Sequence, residues 1–253
     1  FFGLEDLAAG LLKTPVSPTQ SFRDDPLRIM RAARFASQLG IDVDPDVMRA
    51  MEAEKDRLEI VSPERVRAEF ERLLTGKYPR RGIELLVYTG VAQIVLPEVA
   101  SLVETVDEHG RHKDVYEHTL TVLDRAIALE SGPDGPVPGP DFVLRFAALM
   151  HDIGKPATRK FEGSKVTFHH HEIVGAKMTR KRMKELRFDN ETTKAVTDLV
   201  AGHLRFHGYG EVAWSDAAVR RYVTDAGDQL ERLHRLTRAD CTTMNRRRAE
   251  RLS

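Results

Sequence analysis

At Asp25-Pro26, Asp44-Pro45 and Ser62-Pro63 the chain sets Asp or Ser directly before a proline and continues with apolar residues at helical spacing. Proline fixes its own φ near the helical value and lacks the N–H that a first helical turn leaves unpaired. An Asp or Ser ahead of it accepts from the amides that remain. Each pair therefore reads as a helix start. The spacing predicts helices from Pro26 to about Leu39 before Gly40, from Pro45 to about Leu58, from Pro63 to near Gly76, and over about Arg80 to Thr89 before Gly90. Pro97 closes this block, and Val103 to Arg111 reads as a connector.

A second block begins with a predicted helix over about Asp114 to Glu130. SGPDGPVPGP (Ser131 to Pro140) has no helical option and reads as a surface loop. Phe142 to Met150 is apolar all round, the mark of a buried helix. Thr158 to His170 can form a short hairpin around Glu162-Gly163-Ser164, and helices are predicted over about 172–186, 191–204, 216–224 and from Asp228 onward. With no long alternating strand pattern, the expected fold class is all-α, in two blocks.

Composition narrows the function classes. Of 253 residues 41% are hydrophobic and 31% charged, which suits a buried core rather than a disordered chain. The 39 basic and 39 acidic residues exclude a uniformly basic nucleic-acid coat but leave local patches open. Cys241 is the single cysteine, which rules out a disulfide framework and a Cys-based zinc site and fits a reducing cytoplasm. No apolar run approaches the roughly 20 residues a bilayer span needs, so no membrane partner is expected. FFGLEDLAAG is not a signal peptide and lacks a start methionine, so the chain reads as a piece cut from a longer protein.

The ten histidines matter by position. His118 shares a helical stripe with Val115, Val122 and Leu129, and His203 shares one with Val196, Leu199 and Val200. Asp240 lies three and seven residues beyond Thr237 and Leu233, and His151-Asp152 closes the all-apolar helix. Four helices thus aim imidazoles or carboxylates at one interior. A buried carboxylate costs several kcal/mol without a partner, and imidazole nitrogen with carboxylate oxygen suits zinc, manganese, iron, nickel or magnesium. His118, then His151-Asp152, then Asp240 resembles the H…HD…D signature of the HD-superfamily metal-dependent phosphohydrolases, and His171 and His203 match further histidines of many members. That resemblance implies a helical bundle holding one or two divalent metals, with His118, His151, Asp152, His171, His203 and Asp240 as ligands. It implies hydrolysis of a phosphate ester by metal-activated water, with His151, Asp152 and Lys155 in the chemistry, Lys155 facing the phosphate. His169, His170 and His207 match nothing in it.

The first block carries a second signal, SFRDDPLRIMRAARFASQLG (Ser21 to Gly40). Arg28, Ala32, Phe35 and Leu39 fall on one stripe, which sets Arg28 at the N-terminal edge of an apolar face. Asp25 can cap the helix while Arg28 pairs with an acid. Alternatively, a carboxylate accepts from an exocyclic amine while a guanidinium donates to a ring nitrogen, which reads C and A but not G or U. The segment resembles the amino-acid template of class II CCA-adding tRNA nucleotidyltransferases, with Asp24 where Glu is usual. That implies Asp24, Asp25 and Arg28 as base-selecting residues, with Arg31 nearby. SPERVRAEFERLL (Ser62 to Leu74) resembles the next motif, with Glu64, Arg65 and Glu69 in place and Arg65 bracing the selecting helix. FFGLEDLAAGLLKT resembles the tail of the head-to-neck motif at Gly3 and Asp6, with Lys13 where Arg is common.

Together these resemblances imply a hinge remnant (1–22), a helical neck and body (23–105) and an HD domain (106–253). They imply tRNA as partner and CTP and ATP as substrates. The family's head holds Mg2+ on an Asp-x-Asp pair behind a Gly-Ser motif, and no such pair occurs in this sequence; Asp42-Val43-Asp44 lies in a connector. Basic clusters at Lys77, Arg80 and Arg81, at Arg180, Lys181, Arg182 and Lys184, and at Arg246–Arg248 can track phosphates. A poly(A) polymerase relative, or a free-standing HD phosphohydrolase with an RNA-binding module, fits many of the same residues.

Overall fold

A computed structural model describes residues 3–105, 114–162, 165–205 and 214–241. The chain divides into two compact units, one built from residues up to Ala100 plus Arg182–Phe188, the other from Ser101–Lys181 plus residues from Asp189 on.

In the first unit the elements run α1 (Gly3–Ala8), β1 (Leu11–Leu12), α2 (Pro18–Asp24), α3 (Leu27–Leu39), β2 (Asp42–Val43), α4 (Pro45–Glu54), a 3-10 turn (Lys55–Ile60), α5 (Pro63–Leu74), α6 (Pro79–Tyr88), α7 (Ala92–Val95) and α8 (Pro97–Ala100). The Asp-Pro and Ser-Pro signals start α4 and α5 as expected, and Asp44 accepts from the Asp46 amide at 2.8 Å. Helix α3 is the axis: it packs on α5 and α6, and Ile29, Met30 and Ala33 of α3, Phe70 and Leu73 of α5 and Ile83 and Leu86 of α6 are all buried. Gly40 ends α3 at φ +67°, a left-handed conformation that glycine adopts without a Cβ clash. β1 and β2 make a two-residue parallel pairing, Leu11 with Asp42 and Leu12 with Val43.

Three expectations are corrected here. Ser17-Pro18 starts α2, a helix the sequence reading did not include, so Asp25 terminates α2 by donating its N–H to the Ser21 carbonyl, while its Oδ1 accepts from Leu27 N–H at 3.2 Å. Of the stripe Arg28–Ala32–Phe35–Leu39 only Ala32 is buried, while Arg28 is exposed and Leu39 half-exposed; the fully buried face runs through Ile29, Ala33, Ala36 and Ser37. The helix expected to reach Leu58 stops at Glu54 and tightens into the 3-10 turn.

In the second unit a 3-10 turn (Ser101–Glu104) leads to α9 (Asp114–Ala128), α10 (Phe142–Met150), α11 (Lys155–Thr158), β3 (Lys160–Glu162), β4 (Lys165–Thr167), α12 (His171–Glu185), α13 (Asn190–Gly202), α14 (Asp216–Ala226) and α15 (Leu230–Asp240). The stretch read as apolar is α10, apolar except for Arg145, and its residues 146–150 are fully buried among α9, α13 and α15. Arg145 enters this core only with its guanidinium on Glu130, at 2.6 and 2.8 Å. β3 and β4 form the expected antiparallel hairpin; Gly163 and Ser164 at its tip lie outside the described residues, as do His207, Arg246–Arg248 and most of the connector. The fold is all-α apart from these short pairings. No described helix is long and apolar enough to cross a membrane.

Candidate functional site

Five helices of the second unit deliver the six metal-type ligands. His118 lies within α9, His151-Asp152 directly follows α10, His171 opens α12, His203 directly follows α13 and Asp240 ends α15. The apolar stripes read from the sequence explain the inward placement: Val115, Val122, Val196, Leu199, Val200, Leu233 and Thr237 are all buried. Gly154 completes the frame. A Cβ there would come within 2.1 Å of the His171 carbonyl oxygen, so only glycine lets the turn after Asp152 lie against the start of α12.

The ligand atoms meet. His118 Nε2 lies 3.0 Å from Asp240 Oδ1 and 3.6 Å from Asp152 Oδ2. His151 Nε2 lies 3.2 Å from Asp152 Oδ2 and 3.5 Å from Asp240 Oδ1, and His171 Nε2 lies 3.2 Å from Asp152 Oδ1. Two ligands on one ion at about 2.1 Å each stand about 3–3.5 Å apart in tetrahedral geometry, which is this spacing. The set resolves into two triads, His118/His151/Asp240 and Asp152/His171/His203, with Asp152 turning one oxygen to each.

Hydrogen bonding orients the rings. The Nδ1 atoms of His151, His171 and His203 lie 2.8, 2.9 and 2.7 Å from the carbonyls of Ala148, Phe168 and Val200, each three residues back. A carbonyl only accepts, so each Nδ1 bears hydrogen and Nε2 is the atom that could hold a metal. All three Nε2 atoms are buried with no hydrogen-bond partner. Three buried Nε2 atoms without hydrogen-bond partners, set beside two buried carboxylates, fit a divalent cation.

The electrostatics say the same. Burial alone would lower the His151 pKa, but Asp152 and then Asp240 reverse this and push it up to about 10, so the carboxylates demand positive charge at this point. Burial would raise Asp152, yet His151 and Lys155 hold it well below the usual carboxylate range. His203 is held down to about 3, first by burial and then by charge on His151, which keeps it neutral. Lys155 Nζ stands 2.7 Å from Asp152 Oδ2. Its ammonium thus offsets the charge of the shared carboxylate at the same oxygen that faces His118 and His151.

Arginines that sequence reasoning passed over fasten Asp240. Arg125, seven residues after His118 on the same face of α9, donates to the carbonyls of Ala239 at 3.5 Å and Cys241 at 3.2 Å. Arg232 of α15 forks onto Asp141, the N-cap of α10, at 2.8–3.0 Å. The seven-residue interval was the available signal for Arg125; Asp141 was readable as a cap ahead of Phe142.

In the first unit the residues around Asp25 cluster differently from the simplest expectation. Asp25 faces Arg31 at 3.5 Å and Arg65 at 3.7 Å, while Arg28 donates to the carbonyl and hydroxyl of Ser21 at 3.2 and 3.0 Å. Asp24 is exposed and accepts from Gln20 at 2.7 Å. Glu69, buried on α5, takes Arg34 at 2.6 Å and Arg31 at 3.5 Å. His169 and His170 are exposed, and His170 has φ +62° just ahead of α12.

Comparison with known proteins gives two family matches: "HD domain" over residues 115–245, and "Probable RNA and SrmB-binding site of polymerase A" over residues 40–102. The A-adding tRNA nucleotidyltransferase of Deinococcus radiodurans is 31% identical over 245 residues, covering 94% of this chain and 53% of that protein. The Multifunctional CCA protein of Neisseria gonorrhoeae is 33% identical over 217 residues, covering 84% of this chain and 49% of that protein. The chain therefore spans about half the length of these relatives. A Bacillus stearothermophilus CCA-adding enzyme, solved in complex with CTP, superposes with a TM-score of 0.58 at 22% identity, covering 100% of this chain and 51% of that one. A Thermotoga maritima CCA-adding enzyme complexed with tRNA superposes at 0.52 with 17% identity, covering 96% and 54%. At these identities the structures establish the fold.

Proposed function

Because the chain belongs to the HD-domain family, and its relatives over most of its length are tRNA nucleotidyltransferases, we propose that it is the neck, body and HD portion of an enzyme that adds nucleotides to tRNA 3′ ends in the cytoplasm. In this reading residues 1–22 are the end of a hinge, 23–105 select the nucleotide and contact RNA, and 106–253 are the HD domain. CTP and ATP are the substrates, and Mg2+ belongs to an acidic pair outside these 253 residues.

The observation that carries the hydrolytic half is the convergence of His118, His151, Asp152, His171, His203 and Asp240 with three orphaned Nε2 atoms. A divalent cation held by them supplies Lewis acidity to a phosphoryl oxygen and a more acidic water. Lys155 limits the negative charge that an incoming phosphate meets at Asp152. With each triad able to hold one ion, the reaction class is phosphomonoester or phosphodiester hydrolysis. The test uses the purified chain with manganese or nickel and a chromogenic phosphodiester. His151→Ala/Asp152→Ala should abolish turnover, and unchanged hydrolysis would refute the assignment.

For the first unit, Asp24, Asp25 and Arg28 present the base-reading groups, with Arg31 on Oδ2 and Arg65 on Oδ1 of Asp25. Arg28 then exchanges its Ser21 contacts for a base edge. The name of the Deinococcus relative favours a second reading, addition of A alone. Supplying the full-length parent with tRNA lacking its 3′ end and each NTP singly separates the two: C followed by A supports the CCA reading, A alone the second, and no incorporation overturns both.

A further inference from the structure

The basic clusters differ in what their charges already face. Arg80 is paired with Glu84 at 2.8 Å, Arg81 with Asp42 at 3.0 Å, and Lys77 lies 5.2 Å from the Tyr78 ring centroid. On α12 Arg182 is likewise taken up, by Glu98 at 3.0 Å and Glu185 at 2.9 Å. Lys177, Arg180 and Lys184 are not. All three are exposed, and among the described residues no carboxylate pairs with them. Residues three and four positions away from them in the chain are Ile173, Val174, Ala176, Met183, Phe188, or further cations, Lys181 and Arg187. Only Lys181, beside the row, has an acid one turn on, Glu185.

Like charges one turn apart repel, so an exposed helix face ordinarily interleaves signs. Here three cations follow at intervals of three and four residues over about 10.5 Å of helix with no acid between them. We propose that this row is a contact for the sugar-phosphate backbone of RNA. The inference rests on the reading of the chain as part of a tRNA-modifying enzyme, and adds a surface outside the 40–102 segment that matches the RNA-binding family model. A single linear row of point charges fits a strand of evenly spaced phosphates better than the irregular acids of a protein surface. At 3.6 residues per turn the row lies about 180–240° around α12 from His171, so it can be altered without touching the metal-type ligands.

The experiment measures tRNA binding to the chain by fluorescence anisotropy between about 50 and 200 mM salt. Wild type is compared with Lys177→Glu/Arg180→Glu/Lys184→Glu and with the triple Gln variant, and poly-glutamate serves as an acidic polypeptide. Each phosphate contact contributes about 0.7–0.9 to the slope of log K against log salt, so the triple Gln variant should lose about 2–3 of that slope. It should melt no lower than wild type, because it removes repulsion, and should bind manganese unchanged. An unaltered slope in a folded variant overturns the proposal and leaves the tRNA reading standing. Absence of tRNA binding by wild type overturns both. Poly-glutamate binding that the substitutions abolish while tRNA binding persists reassigns the row to an acidic protein and overturns the proposal.

Discussion

A buried imidazole with no partner for Nε2 is a liability unless something occupies that lone pair. His203, fully buried and with Nδ1 already committed to Val200, is such a group. Replacing it with methionine removes an unsatisfied acceptor, so chelator-treated His203→Met should be as stable as chelator-treated wild type, or more stable by about 1–3 kcal/mol. The same variant should lose metal, measured by elemental analysis of the purified protein. Loss of stability in the absence of metal would make His203 a structural residue. Asp25 poses a different question. Its ion pairs with Arg31 and Arg65 involve arginines 39% and 53% exposed, and such pairs are worth about 0–1 kcal/mol. Asp25→Asn also keeps an oxygen for the Leu27 amide. Its melting temperature should therefore barely move, while discrimination among bases in the full-length parent should fall about ten- to a hundredfold, the worth of one charge-assisted hydrogen bond. Unchanged selectivity would leave Asp25 only its part in the turn between α2 and α3.

Helices were legible from their first residues more than from their last. Asp44-Pro45 and Ser62-Pro63 announced α4 and α5, and the apolar run on both sides of Arg145 announced α10, because caps and burial are encoded locally. Ser17-Pro18 carries the same signal as Ser62-Pro63 but heads only seven residues, too few for periodicity to register, and without α2 the role of Asp25 was misplaced. The pairing of β1 with β2 joins residues about 30 apart through two positions each, which no local pattern encodes. The ligand set was legible because four of its helices bring apolar stripes with them. The contact of Arg28 with Ser21, by contrast, depends on how α2 meets α3. Asp189 illustrates a cap that both levels share. It accepts from Thr192 N–H at 2.7 Å at the start of α13, the helix that leads to His203, and that amide lowers its pKa below 3.8. A carboxyl depressed in the folded state contributes stability that is present above about pH 3.8 and lost as pH falls through the lowered value. The acid limb of a urea-midpoint titration should thus flatten in Asp189→Asn, which keeps the cap without the charge. An acid limb identical to wild type would remove the charge from the account.

At the scale of the whole molecule, two units with separate cores predict two unfolding events rather than one. The metal-type ligands belong to only one of them. Divalent metal at a hundredfold over its dissociation constant should stabilise that unit by about 2.7 kcal/mol and leave the other where it was. Differential scanning calorimetry with and without chelator reads this directly, and two transitions that move together would refute the assignment of metal to one core. Within that core the carboxylate of Asp152 turns Oδ2 toward His118 and His151 and Oδ1 toward His171. One side chain thus belongs to both halves, and neither half can be titrated as an independent site. Whatever occupancy of the first triad does to the affinity of the second, the second must do to the first by the same factor. Binding isotherms for this chain should therefore depart from two identical, indifferent sites, and a pair of unlike metals should load to the same final composition whichever is added first.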